Sequence, residues 1–133
     1  MIVVDASVVV TALLVTTARG DRYRRRLAAD ELHAPHVVDL EVISALRRRR
    51  AARALDDQRA AAAVEDLMDL PITRYPHRPL TPRIWELRPN VNPYDAAYVA
   101  LAEALGCPLV TADSKLARSP GLRCEVELID ATA

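Results

Sequence analysis

Asn92-Pro93-Tyr94-Asp95-Ala96-Ala97-Tyr98, followed by Leu109-Val110-Thr111-Ala112-Asp113, is the stretch whose reading decides the fold. Asn92 is a helix cap and Pro93 suits the first helical position, where no N–H is needed. The helix runs to Leu105 and stops at Gly106. Leu109 to Thr111 then reads as a short buried strand ending at Asp113. A helix start and a strand end thus bring two carboxylates to one edge of a sheet.

Working outward, the same pattern recurs at the start of the chain. Met1-Ile2-Val3-Val4-Asp5 is apolar on both faces, as a central parallel strand should be, and it too ends at an acid. Ala6 to Leu14 follows without Gly or Pro, and Asp5 or Ser7 is placed to cap a helix there. A solvated, arginine-rich helix is expected from Arg19 to Ala29, with Tyr23 and Leu27 on its apolar edge. Leu32-His33-Ala34-Pro35 is a second strand. A long helix is expected from His36 to about Ala54, with Val37, Leu40, Ile43 or Ser44, and Leu46 on its apolar face. Arg47 to Arg50 and Arg53 lie near its C-terminus, where cations suit the macrodipole.

Asp56-Asp57 open a helix to about Leu70, Pro71 to Pro76 holds a third strand, and Pro82 to Leu87 is a short helix. A helical turn spans Ser114 to Arg118, and a last strand Cys124 to Ile129. Strands alternating with helices argue an α/β fold, a three-layer α/β/α sandwich around a mainly parallel sheet. No linker or repeat divides residues 1–133, so a single domain is expected. In such folds ligands sit at the carboxyl ends of the strands, where Asp5 and Asp113 lie.

Composition narrows the chemistry. The 133 residues carry 18 Lys or Arg and 18 Asp or Glu, a net charge of zero, so no global field draws in nucleic acid. An anionic substrate would need local basic patches or metal ions. Lys115 is the one lysine, and the arginine richness is read chiefly as the mark of a GC-rich genome, although the planar fork of arginine also suits phosphate. Cys107 and Cys124 make neither a metal-ligand spacing nor a disulfide framework. With no signal-peptide pattern and no apolar run of membrane-spanning length, a reduced cytoplasmic setting and no membrane partner are expected.

Each acid has a plain structural explanation. Asp5 and Asp113 can cap helices, Asp95 can complete a capping box with Asn92, and Glu41 can be a solvated helix residue. Together they suggest more, because apolar neighbours hem each one in. Asp39 lies about 200° around the helix from Glu41, so only one of those two can face a shared site. Carboxylates converging in one pocket repel, and a divalent cation removes that cost. Oxygen ligands without His or Cys suit Mg²⁺, with Mn²⁺ a plausible substitute. Such ions activate water and steady the leaving oxygen of a phosphodiester. A receiver-type Mg²⁺ domain also clusters acids at strand ends, but Lys115 sits inside a helical turn. A phosphatase of the haloacid dehalogenase type wants Asp-x-Asp, where this chain has Asp5-Ala6-Ser7.

Val3-Val4-Asp5-Ala6-Ser7, Leu40-Glu41-Val42 with Ala45-Leu46, Tyr94 to Ala102, and Leu109 to Asp113 together resemble a PIN domain over nearly the whole chain. The compact size resembles the VapC toxins of toxin–antitoxin pairs. That resemblance implies a Mg²⁺-dependent endoribonuclease, neutralised by a VapB-type antitoxin, often homodimeric and acting on RNA. It places Asp5, Glu41, Asp95 and Asp113 in the catalytic, metal-binding acid set, with Thr111 as a frequent hydroxyl beside the last acid and Ser7 in support. Asp5 and Asp95 are the expected direct ligands. Some family members carry a further acid after the fourth, where this chain has Ser114 and Lys115, which leaves one or two ions open. A catalytically silent PIN-like binding module is the alternative, and the intact acid set argues against it. Arg47 to Arg50 could grip RNA backbone or an acidic antitoxin segment, but a solvated helix end is the preferred account of them. His33, His36 and His77 have no catalytic role in this reading. Trp85 and Tyr98 are expected as core or interface residues.

Overall fold

The computed structural model describes residues 1–130. Strand β1 (Ile2–Val4) leads through helices α1 (Ala6–Leu14) and α2 (Ala18–Ala28) to β2 (Leu32–Pro35). Helices α3 (Val37–Ala51) and α4 (Asp57–Asp69) lead to β3 (Ile72–Tyr75). A 3₁₀ turn (Arg78–Leu80), α5 (Thr81–Glu86) and α6 (Pro93–Leu105) precede β4 (Leu109–Thr111). Helix α7 (Ser114–Ala117) and β5 (Val126–Leu128) complete the fold.

The five strands form one sheet in the order β3-β2-β1-β4-β5, parallel throughout. Helices α1 to α4 pack on one another, whereas α5 packs on α6, and α6 lies across β1, β2 and β4. The chain steps outward from β1 through β2 to β3, then crosses back to β4 on the other side of β1. A right-handed crossover must change sheet face when the direction of travel reverses. This gives the three-layer sandwich expected from the sequence, and all three residues of β1 are buried from both sides. The switch in strand order lies between β1 and β4. There, connections leaving the two strands diverge and open a crevice at their carboxyl ends.

The capping chemistry works as the residues suggest. Asp5 accepts from the N–H of Val8 at the start of α1, and Asp56 does the same for Arg59 in α4. Asn92 caps α6, and Gly106 ends it in the left-handed conformation at φ 66°. Helix α3 ends at Ala51, short of the end expected near Ala54, and Arg53 just beyond it takes a positive φ of 58°.

One face was misassigned. Leu40 and Ile43, expected in the core, are 68% and 43% exposed, while Val38, Val42 and Leu46 are buried. Apolar residues occur around most of α3, so spacing alone did not choose the packed side. The choice is made instead by the bidentate ion pair of Asp39 with Arg74 on β3 (2.7 and 2.9 Å), which ties Asp39 to that edge strand and leaves Glu41 toward the crevice. Trp85 is 65% exposed under the guanidinium of Arg88, 4.0 Å from the ring centroid, and so is not core. His77 accepts from the N–H of Val37 and thus caps α3. Cys107 and Cys124 are free thiols, the first buried and the second half-buried.

Candidate active site

All four acids reach the crevice, each by a different local device. Asp5 follows β1 directly and is 5% exposed. Its Oδ1 accepts from the Ser7 hydroxyl at 2.6 Å and the Val8 N–H at 3.2 Å, and its Oδ2 accepts from the Thr111 hydroxyl. Thr111, fully buried at the end of β4, also accepts from the N–H of Asp113 at 3.0 Å. Ser7 in turn accepts from the N–H of Ala112 at 3.2 Å. Ser7 and Thr111 therefore stitch the ends of β1 and β4 together and fix both oxygens of Asp5.

Asp113 caps α7, accepting from the N–H groups of Lys115 and Leu116. Asp95 lies in the first turn of α6, where its own N–H donates to Asn92 Oδ1 at 2.9 Å. The expected reciprocal box is modified. The Asp95 carboxylate accepts from the Asn92 side-chain amide at 3.0 Å rather than from the backbone, so Asn92 both caps the helix and aims the acid. Glu41 enters from α3 and accepts from the Tyr98 hydroxyl at 2.6 Å. That bond joins α3 in one helical layer to α6 in the other, across the carboxyl edge of the sheet.

Electrostatics record the convergence. Burial pushes Asp5 up to about 6, with the charge of Asp95 adding to the rise. Burial also raises Glu41, again with help from Asp95. Asp95 is raised by burial and by Asp113, and relieved by Asn92 and Lys115. Asp95 is thus felt by every other acid of the set or feels it. None of the four forms an ion pair among the described residues, whereas Asp39, Glu103 and Asp130 are each matched to arginine.

A compensating cation fits this arrangement. The donors are hard carboxylate oxygens, and the raised proton affinities of Asp5, Glu41 and Asp95 reflect a burial and repulsion that a divalent ion would relieve. Among the described residues, no three His, Cys, Asp or Glu side chains gather closely enough to enclose an ion by themselves. A divalent ion that keeps several of its waters and needs only one or two carboxylates directly suits such a site.

Beside the acids lies a cavity of about 530 Å³, walled by Ser7, Val10 and Thr11 of α1 and by Glu41, Ser44 and Arg48 of α3. Tyr98 and Asn92 are the side chains bonded to the candidate acids that sequence reasoning did not assign to the site. Tyr98 stands three residues after Asp95, hence on the same helix face, and that spacing was the available signal. Asn92 was read as a cap, and its second bond depends on a side-chain geometry that no spacing reveals.

The PIN domain family model matches residues 2–122. Ribonuclease VapC12 of Mycobacterium tuberculosis is 43% identical over 129 residues, 97% of this chain and 99% of that protein. Ribonuclease VapC1 of the same organism is 47% identical over 128 residues, 96% of each. Among solved structures, the M. tuberculosis sarcin-ricin-loop-cleaving toxin VapC20 superposes with a TM-score of 0.69 at 19% identity, covering 88% of this chain and 93% of that one. The DNA-bound VapBC2 of Rickettsia felis gives a TM-score of 0.69 at 17% identity over 96% of this chain and 98% of that one. At these identities the two structures speak for the fold.

Proposed function

Because the chain belongs to the PIN domain family, we propose that it acts as an endoribonuclease toxin of a toxin–antitoxin pair, cutting RNA with divalent-metal assistance. The ribonuclease relatives match over nearly its full length. The carrying observation is the set of four carboxylates at the β1–β4 switch that form no ion pair among the described residues, with Asp5 buried and held by Ser7 and Thr111.

Mg²⁺ is the proposed ion, with Mn²⁺ able to replace it. Asp5 and Asp95 would hold it directly, while Glu41 and Asp113 would hold its waters or a second ion. When bound, the ion makes hydroxide available near neutral pH and stabilises charge on the phosphodiester oxygens. The protein supplies orientation. Ser7 and Thr111 fix the Asp5 oxygens, Asn92 aims Asp95, and Tyr98 holds one oxygen of Glu41, leaving the other free to orient a water or take its proton. A VapB-type antitoxin as partner and a homodimer as the working form complete the proposal. No described helix is long and apolar enough to cross a membrane.

The test is cleavage of total RNA in Mg²⁺ or Mn²⁺ with analysis of the product ends. Because water attacks, the ends should be 5′-phosphate and 3′-hydroxyl, and EDTA should abolish cleavage. Ends of 2′,3′-cyclic phosphate, or cleavage persisting in EDTA, would overturn this reading.

A further inference from the structure

We infer that Arg48 and Arg49, on the far part of the α1–α3 cavity, form an anchor for an RNA backbone phosphate flanking the cleaved one. The inference rests on the ribonuclease reading and deepens it.

Glu41, Ser44, Ala45 and Arg48 recur at the spacing that puts residues on one face of a helix, and all four line the cavity. The facing wall repeats this with Ser7, Val10 and Thr11 of α1. The cavity is therefore a furrow running along both helices, with the Glu41 carboxylate at one end and guanidinium groups at the other. Two turns of α3 separate Glu41 from Arg48, about 10 Å. That is the backbone separation; the Arg48 guanidinium reaches back to Ser44, one turn beyond Glu41, a position that suits a strand threading from the acids to a neighbouring phosphate.

The partners of the arginines separate these two from the rest of the helix end. Arg50 is committed to Asp57. Arg22 and Arg26 on α2 are committed to Asp130 and Glu127. Arg19, which also lines the cavity, is held by Asp130. Arg48 and Arg49 have no carboxylate partner among the described ion pairs, and Arg48 donates to the Ser44 hydroxyl at 3.0 Å, which keeps it along the furrow wall. Arg47 is absent from the lining. Two guanidinium groups without carboxylates, at the end of a furrow that begins at an acidic pocket, match the alternation a nuclease needs. The acid end would repel RNA without a cation, and the arginine end would attract it. A guanidinium fork fits a phosphate by paired N–H donors.

The test compares the wild type with Arg48→Gln/Arg49→Gln and with Arg47→Gln/Arg50→Gln as a control of equal charge change. Mn²⁺-supported cleavage of a single-stranded RNA is followed from about 50 to about 300 mM salt, the range over which phosphate binding weakens steeply. Binding of the same RNA is measured with each pair of substitutions placed in an Asp95→Asn chain. The Arg48/Arg49 pair should raise KM by roughly tenfold with little change in kcat, as loss of charged hydrogen bonds to bound substrate implies. Its log–log salt slope should be shallower by roughly 0.7 for each phosphate that is no longer gripped. The control pair should alter neither by as much. Equal losses in both pairs would mean a diffuse charge effect and overturn the anchor. An unchanged slope in the Arg48/Arg49 pair would also overturn it, and loss of polyglutamate binding with RNA binding intact would assign the arginines to an acidic protein instead. If the wild type cleaves no RNA, the ribonuclease reading fails. If it cleaves and the Arg48/Arg49 pair matches it, the anchor alone fails.

Discussion

Replacing Asp5 by Asn should make the metal-free protein more stable at neutral pH, although it destroys the site. Burial raises the Asp5 carboxyl from 3.8 to about 6, so the native state resists its ionisation. For a raised carboxyl the sign is clear. Its favourable contribution is complete below the unfolded value of about 4 and is lost as pH rises through about 6. Above that, the ionised group costs about 3 kcal/mol, taking about 1.36 kcal/mol per pH unit. Asparagine keeps the volume and an acceptor for the Val8 N–H, but its amide faces the Thr111 hydroxyl, which donates to the native carboxylate. One lost hydrogen bond of about 1 kcal/mol leaves a net gain of about 2 kcal/mol. Urea unfolding in EDTA at about pH 7.5 should show that gain, and it should fade by about pH 4. Added Mn²⁺ should then reverse the order, stabilising the wild type by mass action and leaving the variant unmoved. A variant less stable than the wild type at the higher pH, or an advantage that persists unchanged at the lower one, would refute the reasoning.

Tyr98→Phe removes the donor that fixes Glu41, and should lower cleavage roughly tenfold while costing about 1 kcal/mol by thermal melt. Gly20→Ala should be severe, because an added Cβ would lie 1.8 Å from the Val15 carbonyl oxygen. A loss of about 2–4 kcal/mol in urea unfolding is expected as α2 shifts. Arg83→Ala breaks a bidentate pair with Glu103 and bonds to Glu86 and the Gly121 carbonyl. It should cost about 2–3 kcal/mol in the same assay, with cleavage per folded molecule unchanged.

The fold was legible where local chemistry is decisive. Pro93, Asn92 and Gly106 bound α6 to the residue, and Leu109–Thr111 is a strand because nothing polar interrupts it. The packed face of α3 was not legible, since Leu40 and Ile43 compete with Val38 and Val42, and the Asp39–Arg74 pair that decides between them joins distant segments. The candidate site was legible only as four acids hemmed by apolar residues. Their convergence depends on the reversal in strand order, a property of the whole sheet. The Tyr98 and Asn92 bonds depend on the side-chain directions that reversal creates.

The central claim is that these carboxylates form one divalent-cation pocket centred on Asp95. Calorimetric titration of Mn²⁺ into the wild type and Asp95→Asn near neutral pH tests it most directly. Asparagine preserves shape and the α6 cap and removes a carboxylate that burial and Asp113 hold above its ordinary value, so in EDTA the variant should melt no lower than the wild type. The expected result is saturable binding by the wild type and at least roughly tenfold weaker binding by the variant, the order set by losing a direct carboxylate ligand. Equal affinities in two equally folded proteins would contradict the account.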